Sequence, residues 1–391
     1  MSPTLCAAMI VLLEGLGIAS IFPVIHEYVA QFAARESWVD QKLWVGGLLA
    51  CVALPKVILS PIWGHMSDRV GRRPILALVT IGGIVGSSMW ALAPRIGFAF
   101  LIGSRVIVGV FGAQAGLAYS IIADVTTPES RAGRMAILGA SFGLAITLGP
   151  IFGGLIGFNA GFQAIGWWYA GLQCVSLTII LAMLRETRPT VEGATDPTQT
   201  RRAAPLTASA WLILGATLAA TIGMSELTST LGEVTKQVFS FDARKVGYAF
   251  GFFGFIAALA QGAVRRLSQR FGEKALSTLG IGLCAAGFAI LALKPGITVF
   301  FVAVSLIAVG SALNVTGLTT LISHAVAASE QGRAIGMNQS ATGLGRAVGF
   351  FLGSGLLTYG TQAPYAVAAG MMILAMLLLA PLSRARDPNA A

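Results

Sequence analysis

Charged residues are scarce in this chain of 391 residues, at 11% of the total, whereas a typical soluble domain carries about a quarter. This scarcity excludes a water-soluble globular protein as the class. The apolar share of 55% instead favours a chain that is embedded in lipid.

Cysteine and histidine are also few, and neither is spaced as a metal site requires. The four cysteines fall singly within apolar runs, which excludes a disulfide framework or a metal cluster, and the three histidines lie near the ends of runs. A nucleotide-binding loop of the form GxxxxGK[ST] is missing, which argues against a primary pump. A membrane-embedded enzyme or receptor lacks support, because neither a nucleophile–base constellation nor an extramembrane domain is found. We expect no metal, no cofactor and no enzymatic activity.

Long apolar runs fill most of the chain. The hydrocarbon core of a bilayer needs ~20 apolar residues per helix. Runs of this kind predict twelve transmembrane helices, at 5–27, 44–66, 74–93, 97–119, 133–156, 162–184, 209–231, 246–264, 275–293, 297–323, 334–357 and 363–382. The longest polar stretch reads as a flexible linker. We therefore predict an N-terminal six-helix bundle at 1–184, a cytoplasmic linker at 185–208 and a C-terminal six-helix bundle at 209–391.

Basic residues are distributed unequally among the connections between these runs. If the N-terminus is cytoplasmic, most of the 26 Lys and Arg residues fall in cytoplasmic connections or in the C-terminal tail. This excess predicts that both termini are cytoplasmic. Topology and lipid headgroups then explain the net charge of +10, so no nucleic-acid partner is expected. The preference for Arg over Lys and the lack of targeting tails predict a multi-pass protein of a bacterial plasma (inner) membrane.

The two halves of the chain repeat each other. Ser67, Arg69 and Gly71 stand opposite Ser268, Arg270 and Gly272 at a spacing of 201 positions. The glycines of the run from Gly133 likewise recur in the run from Gly332. Two pseudo-symmetric bundles in parallel would place a pathway at their shared interface.

Glu14, Lys56, Arg105 and Arg346 are ionisable residues that lie well inside the predicted spans. Each is expected to be paired or to border water, because charge at mid-membrane costs ~2.5–3.5 kcal/mol. At the rise of an α-helix, Glu14 lies ~14 Å from one membrane face and Arg105 lies ~12 Å from the other. Their depths nearly coincide, so we expect Glu14 to meet Arg105. Such a pair either couples protons to substrate or is a static ion pair.

The connection after the second run has the sequence GHMSDRVGRRP, in which two glycines allow tight turns and one acid lies among arginines. Arginines there also follow the cytoplasmic charge bias, but Asp68 does not. With Arg105, Gly109 and Gly112 in helix 4 and GPIFGG in helix 5, these residues resemble the major facilitator superfamily. LLEGLGIASIFPVI and SIIADVTTPESR further resemble its tetracycline/proton antiporters, more closely in the first half than in the second.

The resemblance implies the major facilitator fold with twelve helices and alternating access. It implies that Glu14 and Arg105 handle substrate and protons, and we add Lys56, Arg346, Gln261 and Glu226 as further candidates. It also implies a cytoplasmic gate, for which the candidates are Gly64, Asp68, Arg69, Gly71, Arg72, Arg73, Asp124 and Arg134. The helix 5 motif comprises Gly143, Gly149, Pro150, Gly153 and Gly154, which form either a rocking interface or plain packing.

Departures from the tetracycline pattern make tetracycline specificity doubtful. The acids of helices 3 and 9 are replaced near Gly86 and Cys284, and the histidine of helix 8 is missing. Three cations inside the spans face two acids, Glu14 and Glu226. Either an anionic or zwitterionic substrate balances this excess, or Lys56 is neutral.

Export of small amphipathic, drug-like compounds in exchange for protons is the leading hypothesis for function. A proton symporter or facilitator for an anionic metabolite is the alternative. The expected partners are a small-molecule substrate, protons and membrane lipids, and the protein is expected to be monomeric.

Overall fold

The computed structural model describes residues 2–187, 206–326 and 330–382. Most of the predicted linker, 188–205, lies outside these ranges, as does the tail 383–391. Within the described ranges the chain is helical and contains no strand. The helices are α1 (Pro3–Ala19), α2 (Ile25–Ala33), α3 (Gln41–Val70), α4 (Arg72–Ile96), α5 (Phe98–Val110), α6 (Gln114–Asp124), α7 (Pro128–Ala160), α8 (Phe162–Met183), α9 (Ala208–Phe239), α10 (Ala243–Phe271), α11 (Glu273–Ala292), α12 (Ile297–His324), α13 (Gln331–Leu356) and α14 (Ala363–Leu379).

The helices have the length and composition of a multi-pass membrane protein. Among the described residues, nine helical segments are long and apolar enough to cross a membrane, with α5 and α6 counted as one. Two shorter apolar helices, α1 and α14, accompany them. The eleventh predicted span corresponds to α13, which carries several polar residues and falls outside that group. The prediction of an all-α membrane protein is confirmed.

Two predicted spans are interrupted. The first ends as a helix at Ala19 and resumes at Ile25, because Pro23 has no amide hydrogen and Ser20 donates its hydroxyl to the carbonyl of Gly17 (2.7 Å). The fourth is interrupted between Val110 and Gln114. There the indole of Trp63 donates to the carbonyl of Val110 (2.6 Å) and satisfies a group at the helix end.

Single glycines connect several consecutive helices. Gly71, Gly97, Gly161 and Gly272 each have a positive φ, between 78° and 136°, which favours glycine. Gly71 and Gly272 are the repeat partners expected from the sequence. The amide of Gly71 donates to Ser67 (3.1 Å) and that of Gly272 to Ser268 (2.8 Å), so the two junctions have the same local geometry.

The contacts divide the described residues into two compact units. One contains 2–187 together with Ser229–Phe255, and the other contains 206–228 and 256–382 with its gap at 327–329. The end of α9 and the start of α10 therefore belong to the first unit. The predicted boundary between bundles, at 184 and 209, stays a prediction.

The helix 5 motif lies in α7 and allows close helix contact. A Cβ at Gly149 would lie 2.6 Å from that of Ala19, and one at Gly153 would overlap the backbone oxygen of Ser20. A Cβ at Gly154 would lie 2.5 Å from the carbonyl of Ala243 at the start of α10. Pro150 lies inside α7, which continues to Ala160. The motif thus fixes how closely α7 approaches α1 and α10.

We expect Gly153→Ala to destabilise the protein by ~1–3 kcal/mol, because the new methyl group meets backbone that does not yield easily. The matched control is Gly143→Ala in the same helix, where a Cβ has no described heavy atom within 4 Å. That change should be neutral or stabilising by up to ~1 kcal/mol. Thermal unfolding of the two purified variants in detergent measures the difference. Equal losses at both positions would contradict this account of the motif.

Candidate functional site

Glu14 of α1 and Lys56 of α3 form an ion pair inside the first unit. Lys56 Nζ lies 3.4 Å from Glu14 Oε1. The two side chains differ in accessibility, since that of Glu14 is 5% exposed and that of Lys56 is 37% exposed. A buried carboxylate requires a counter-charge or a proton, and here the lysine supplies the charge.

Arg105 does not form the ion pair with Glu14 that the sequence predicts. Its guanidinium donates from Nη2 to Ser104 Oγ (2.9 Å), and its Cζ lies 4.5 Å from the centre of the Trp90 ring. Ser104 in turn donates to the carbonyl of Gly86 (2.7 Å), which ties α5 to α4. The rise along a helix predicts depth in the membrane but not the direction of a side chain around the axis, so the expected pairing is corrected here.

Tyr169 of α8 is buried near both Glu14 and Arg105. The carboxylate and the guanidinium therefore lie in one neighbourhood without direct contact. Nothing in the sequence distinguishes Tyr169 from an ordinary core tyrosine.

A small cavity lies beside the ion pair. It is lined by Glu14, Ile18, Val52, Lys56, Gly83, Val108, Phe111, Gly112, Gln114, Tyr169 and Gln173. It has room for about one water molecule. Its lining combines the two charged groups and two amides with apolar side chains, so the cavity is amphipathic.

Two buried glutamines of this lining form hydrogen bonds with each other. Gln114 Nε2 donates to Gln173 Oε1 (2.9 Å) and to Thr80 Oγ1 (2.9 Å), and Gln173 Nε2 donates back to Gln114 Oε1 (3.2 Å). The network joins α6, α8 and α4. Both glutamines are within predicted spans, but sequence alone does not distinguish pore-lining amides from interhelical ones.

The other three candidates for substrate and protons belong to the second unit. Gln261 donates to Thr316 Oγ1 (3.1 Å) and is exposed. Glu226 is fully buried on α9, with 0% of its surface exposed. Arg346 of α13 is exposed and makes no ion pair with the residues that the structure describes. The roles of these three residues in handling substrate and protons stay predictions.

The predicted gate is centred on Arg72, the first residue of α4. Its Nε lies 2.9 Å from Asp124 Oδ2 and its Nη1 lies 2.6 Å from Asp68 Oδ1. The same Nη1 donates to Ser67 Oγ (2.6 Å). Arg72 thus links the C-terminal ends of α3 and α6.

One detail of the gate prediction is corrected. Gly64 lies within α3 and makes no turn, so Gly71 alone provides the turn. Asp68 is in the last turn of α3. Arg134 of α7 donates to Thr4 Oγ1 (3.5 Å). The GHMSDRVGRRP motif is almost wholly helical, because α3 runs to Val70 and a single glycine precedes α4.

Two further contacts secure the start of α4. The carboxylate of Glu186, just after α8, accepts from the backbone amides of Arg72 (2.8 Å) and Arg73 (3.1 Å). An acid at this position satisfies otherwise unpaired amides of a helix N-terminus. Arg73 Nε donates to the carbonyl of Ile180 in α8 (3.3 Å). Arg69 is exposed at the end of α3. Glu186 was not predicted from the sequence. The available signal was an acid directly after the sixth predicted span, on the same predicted membrane side as Arg72 and Arg73.

A second polar cluster joins α2 to the end of α9, and we call it the α2–α9 cluster. His26 Nε2 lies 2.6 Å from the carbonyl of Ser229, and its Nδ1 lies 3.6 Å from Glu233 Oε2. Gln41 Nε2 donates to the His26 carbonyl (3.2 Å) and to Glu233 (3.4 Å). Both ring nitrogens face oxygens, so whichever nitrogen carries the proton donates to one of them. Spacing along the chain offered no signal for a contact between such distant segments.

The lipid-compatible helices, the ion pair beside a cavity and the charged junction between α3 and α4 define a membrane transporter. A model of the Major Facilitator Superfamily matches residues 5–231 and 212–391. The chain belongs to the Major Facilitator Superfamily, a family of transporters rather than enzymes. Within the described residues, no group of three His, Cys, Asp or Glu residues is placed to hold a metal ion.

Among its relatives, the class B tetracycline resistance protein of Escherichia coli is 31% identical over 323 residues, covering 80% of this chain and 78% of that protein. Major facilitator superfamily domain-containing protein 10 of Mus musculus is 27% identical, covering 85% and 78%. Crystal structures of a D-xylose-proton symporter (16% identity, TM-score 0.81, 97% of each chain) and of the human organic anion transporter MFSD10 (23% identity, TM-score 0.75, 96% and 98%) have the same fold. The resemblance to tetracycline antiporters is confirmed, and the chain is a multi-pass membrane transporter of a small molecule.

The two acids that contact Arg72 should differ in how much they stabilise the protein. Asp124→Asn is expected to destabilise the protein by ~1–3 kcal/mol, because Asp124 is 11% exposed and its charge-assisted bond is shielded from water. Asp68→Asn should cost less than ~1 kcal/mol, since Asp68 is 57% exposed. Thermal unfolding at low and high salt checks both values. A larger loss for Asp68→Asn would refute the ranking.

In the α2–α9 cluster, the stability of a variant at a buried residue can be compared with that of a variant at its neighbour. His26→Ala should lower stability by ~1–3 kcal/mol, because it removes a buried hydrogen bond and leaves a void. Glu27→Ala, the control, removes only a contact with Lys236 (3.5 Å), whose side chain is 47% exposed, and should cost under ~1 kcal/mol. Unfolding midpoints in detergent report the difference, and indistinguishable midpoints would show that the histidine does not hold α9.

Proposed function

We propose that this protein exports small amphipathic compounds in exchange for protons by alternating access. The Glu14–Lys56 ion pair at the cavity carries the proposal. Relatives that include tetracycline resistance proteins support export as the direction. Near Gly86 and Cys284 the chain departs from the tetracycline-antiporter pattern, so tetracycline is only one of several compounds to test as substrate.

The unequal exposure of the pair provides the coupling. If Lys56 moves away, its ammonium group retains access to polar surroundings, whereas the carboxylate of Glu14 is left buried without a counter-charge. Glu14 must then take up either a proton or a cationic group of the substrate. A site that accepts one of these at a time exchanges one for the other, which is the requirement of an antiporter. Arg105, held on Ser104 and Trp90, adds a fixed positive charge to this neighbourhood.

The gate fits the same scheme. Arg72, Asp68 and Asp124 would close the cytoplasmic side in one state and separate in another, with Gly71 as the turn and Glu186 holding the start of α4. We further propose two six-helix bundles, 1–184 and 209–391, joined by the linker 185–208, with both termini cytoplasmic. We propose that the protein is a monomer in a bacterial inner membrane, where it contacts lipid and binds no nucleic acid.

A symporter or facilitator for an anionic metabolite is the second candidate. It is favoured by Lys56 and by Arg346, an exposed cation without an acidic partner among the described residues. The human protein of similar fold is an organic anion transporter, which favours this candidate as well.

Transport in everted membrane vesicles tests the proposal. With an acidic lumen, vesicles that contain the protein should accumulate tetracycline, ethidium or norfloxacin, and nigericin should abolish the uptake. Glu14→Gln should remove proton-driven uptake by at least about tenfold, because a neutral amide cannot exchange a proton. The matched control Glu330→Gln, which alters a partly exposed pair with Arg333 (3.4 Å), should retain it.

Two outcomes would count against export by proton exchange. Loss of preloaded compound from the acidic lumen would indicate symport. Full proton-driven uptake by a folded Glu14→Gln variant would remove Glu14 from the coupling.

A further inference from the structure

We infer that Lys56 determines substrate specificity and that the preferred substrates are amphoteric, with one cationic amine and one anionic oxygen group. In this arrangement the amine replaces Lys56 at Glu14, and the anionic group replaces Glu14 at Lys56. For transport this rests on the proposed function, but as a statement about binding it is tested separately.

The geometry of the pair is suited to exchange. A single nitrogen–oxygen contact of 3.4 Å joins the two groups, rather than the bidentate contacts that make strong pairs. The lysine side chain passes close to Gly112, where a Cβ would lie 3.2 Å from Lys56 Cδ, so it lies at the interruption between α5 and α6. With 37% of its side chain exposed, Lys56 is accessible to a ligand that enters the cavity.

Charge balance excludes the two simpler ligand types as preferred ones. A ligand that is only cationic can replace Lys56 at Glu14, but the displaced lysine then loses its ion pair and has only polar surroundings in exchange. A ligand that is only anionic can take Lys56, but it leaves the buried Glu14 carboxylate without a partner. Arg105 does not replace that partner, because its guanidinium is held by Ser104 and Trp90. Only a ligand with both charges leaves each group paired.

The side chains around the pair indicate the body of such a ligand. Ile18, Val52, Val108 and Phe111 are apolar, and Gln114 and Gln173 add two amides to the same lining. In this state the cavity holds about one water molecule, so a larger ligand binds only when the cavity widens. An apolar body that carries an amine and an acid matches the chemistry of this lining.

Norfloxacin and two of its derivatives test the inference. Norfloxacin carries both a secondary amine and a carboxylate, its ethyl ester retains only the amine, and its N-acetyl derivative retains only the carboxylate. Binding of the three compounds to purified protein in nanodiscs is measured by calorimetry at constant pH. The native protein should bind norfloxacin at least about tenfold more tightly than either derivative, since each derivative leaves one charge unpaired.

Substitutions should then change the preference in opposite directions. Lys56→Met should remove the advantage of norfloxacin over the ester, and Glu14→Gln should remove its advantage over the N-acetyl derivative. The control Lys245→Met makes the same chemical change at an exposed position and should leave all three affinities unchanged. If a single variant does not fold, the double variant with both changes has a neutral cavity and should bind the three compounds equally.

Three results would overturn the inference. These are equal affinities in the native protein, no binding of any of the three, and a norfloxacin-to-ester ratio that Lys56→Met changes by less than about twofold. The result is separable from the proposed function. The expected affinity ratios without proton-driven uptake would overturn antiport alone, and uptake with equal affinities would overturn the role of Lys56 alone.

Discussion

Charge that lies inside lipid-compatible helices must be compensated locally, and the arrangement of the first unit follows from this constraint. Glu14 is paired with Lys56, Arg105 is held by Ser104 and the Trp90 ring, and Tyr169 lies near Glu14 and Arg105. A low dielectric makes each interaction strong and makes its loss costly. Opening of the ion pair is therefore costly unless a proton or another charge compensates Glu14.

Close packing of helices supplies the rigid frame for these charges. Glycines of α7 bring its backbone against α1, which carries Glu14, and Gly109 of α5 faces the backbone of α3 near Val52. A Cβ at Gly349 of α13 would lie 2.4 to 2.9 Å from Ile222 and Ser225 of α9, so the second unit uses the same device. Small residues allow such contact where lipid provides no hydrophobic driving force between helices. Single-glycine junctions then place consecutive helices side by side with little connecting chain.

The two charged regions of the first unit act on different elements. Arg72 and Glu186 connect the ends of α3, α4, α6 and α8 at one junction. The α2–α9 cluster joins the start of the chain to a segment about 200 residues later in sequence, through His26, Gln41 and Glu233. In a transporter superfamily, alternating access requires contacts that form in one state and separate in another, and these two regions are candidates for such contacts.

The fold class and most of the helices were predictable from the sequence, because hydrophobic length and charge bias act locally and do not depend on tertiary contacts. The breaks at Pro23 and between Val110 and Gln114 were not predicted, since a continuous apolar run masks a helix interruption. The grouping of Arg72 with Asp68 and Asp124 was also predictable from the sequence. Only the tertiary structure decided that Glu14 contacts Lys56 and that Gly64 is helical. It also decided that Glu186 binds the start of α4 and that His26 contacts α9. Helical rise fixes height, but the rotation and packing of neighbouring helices decide which side chains meet.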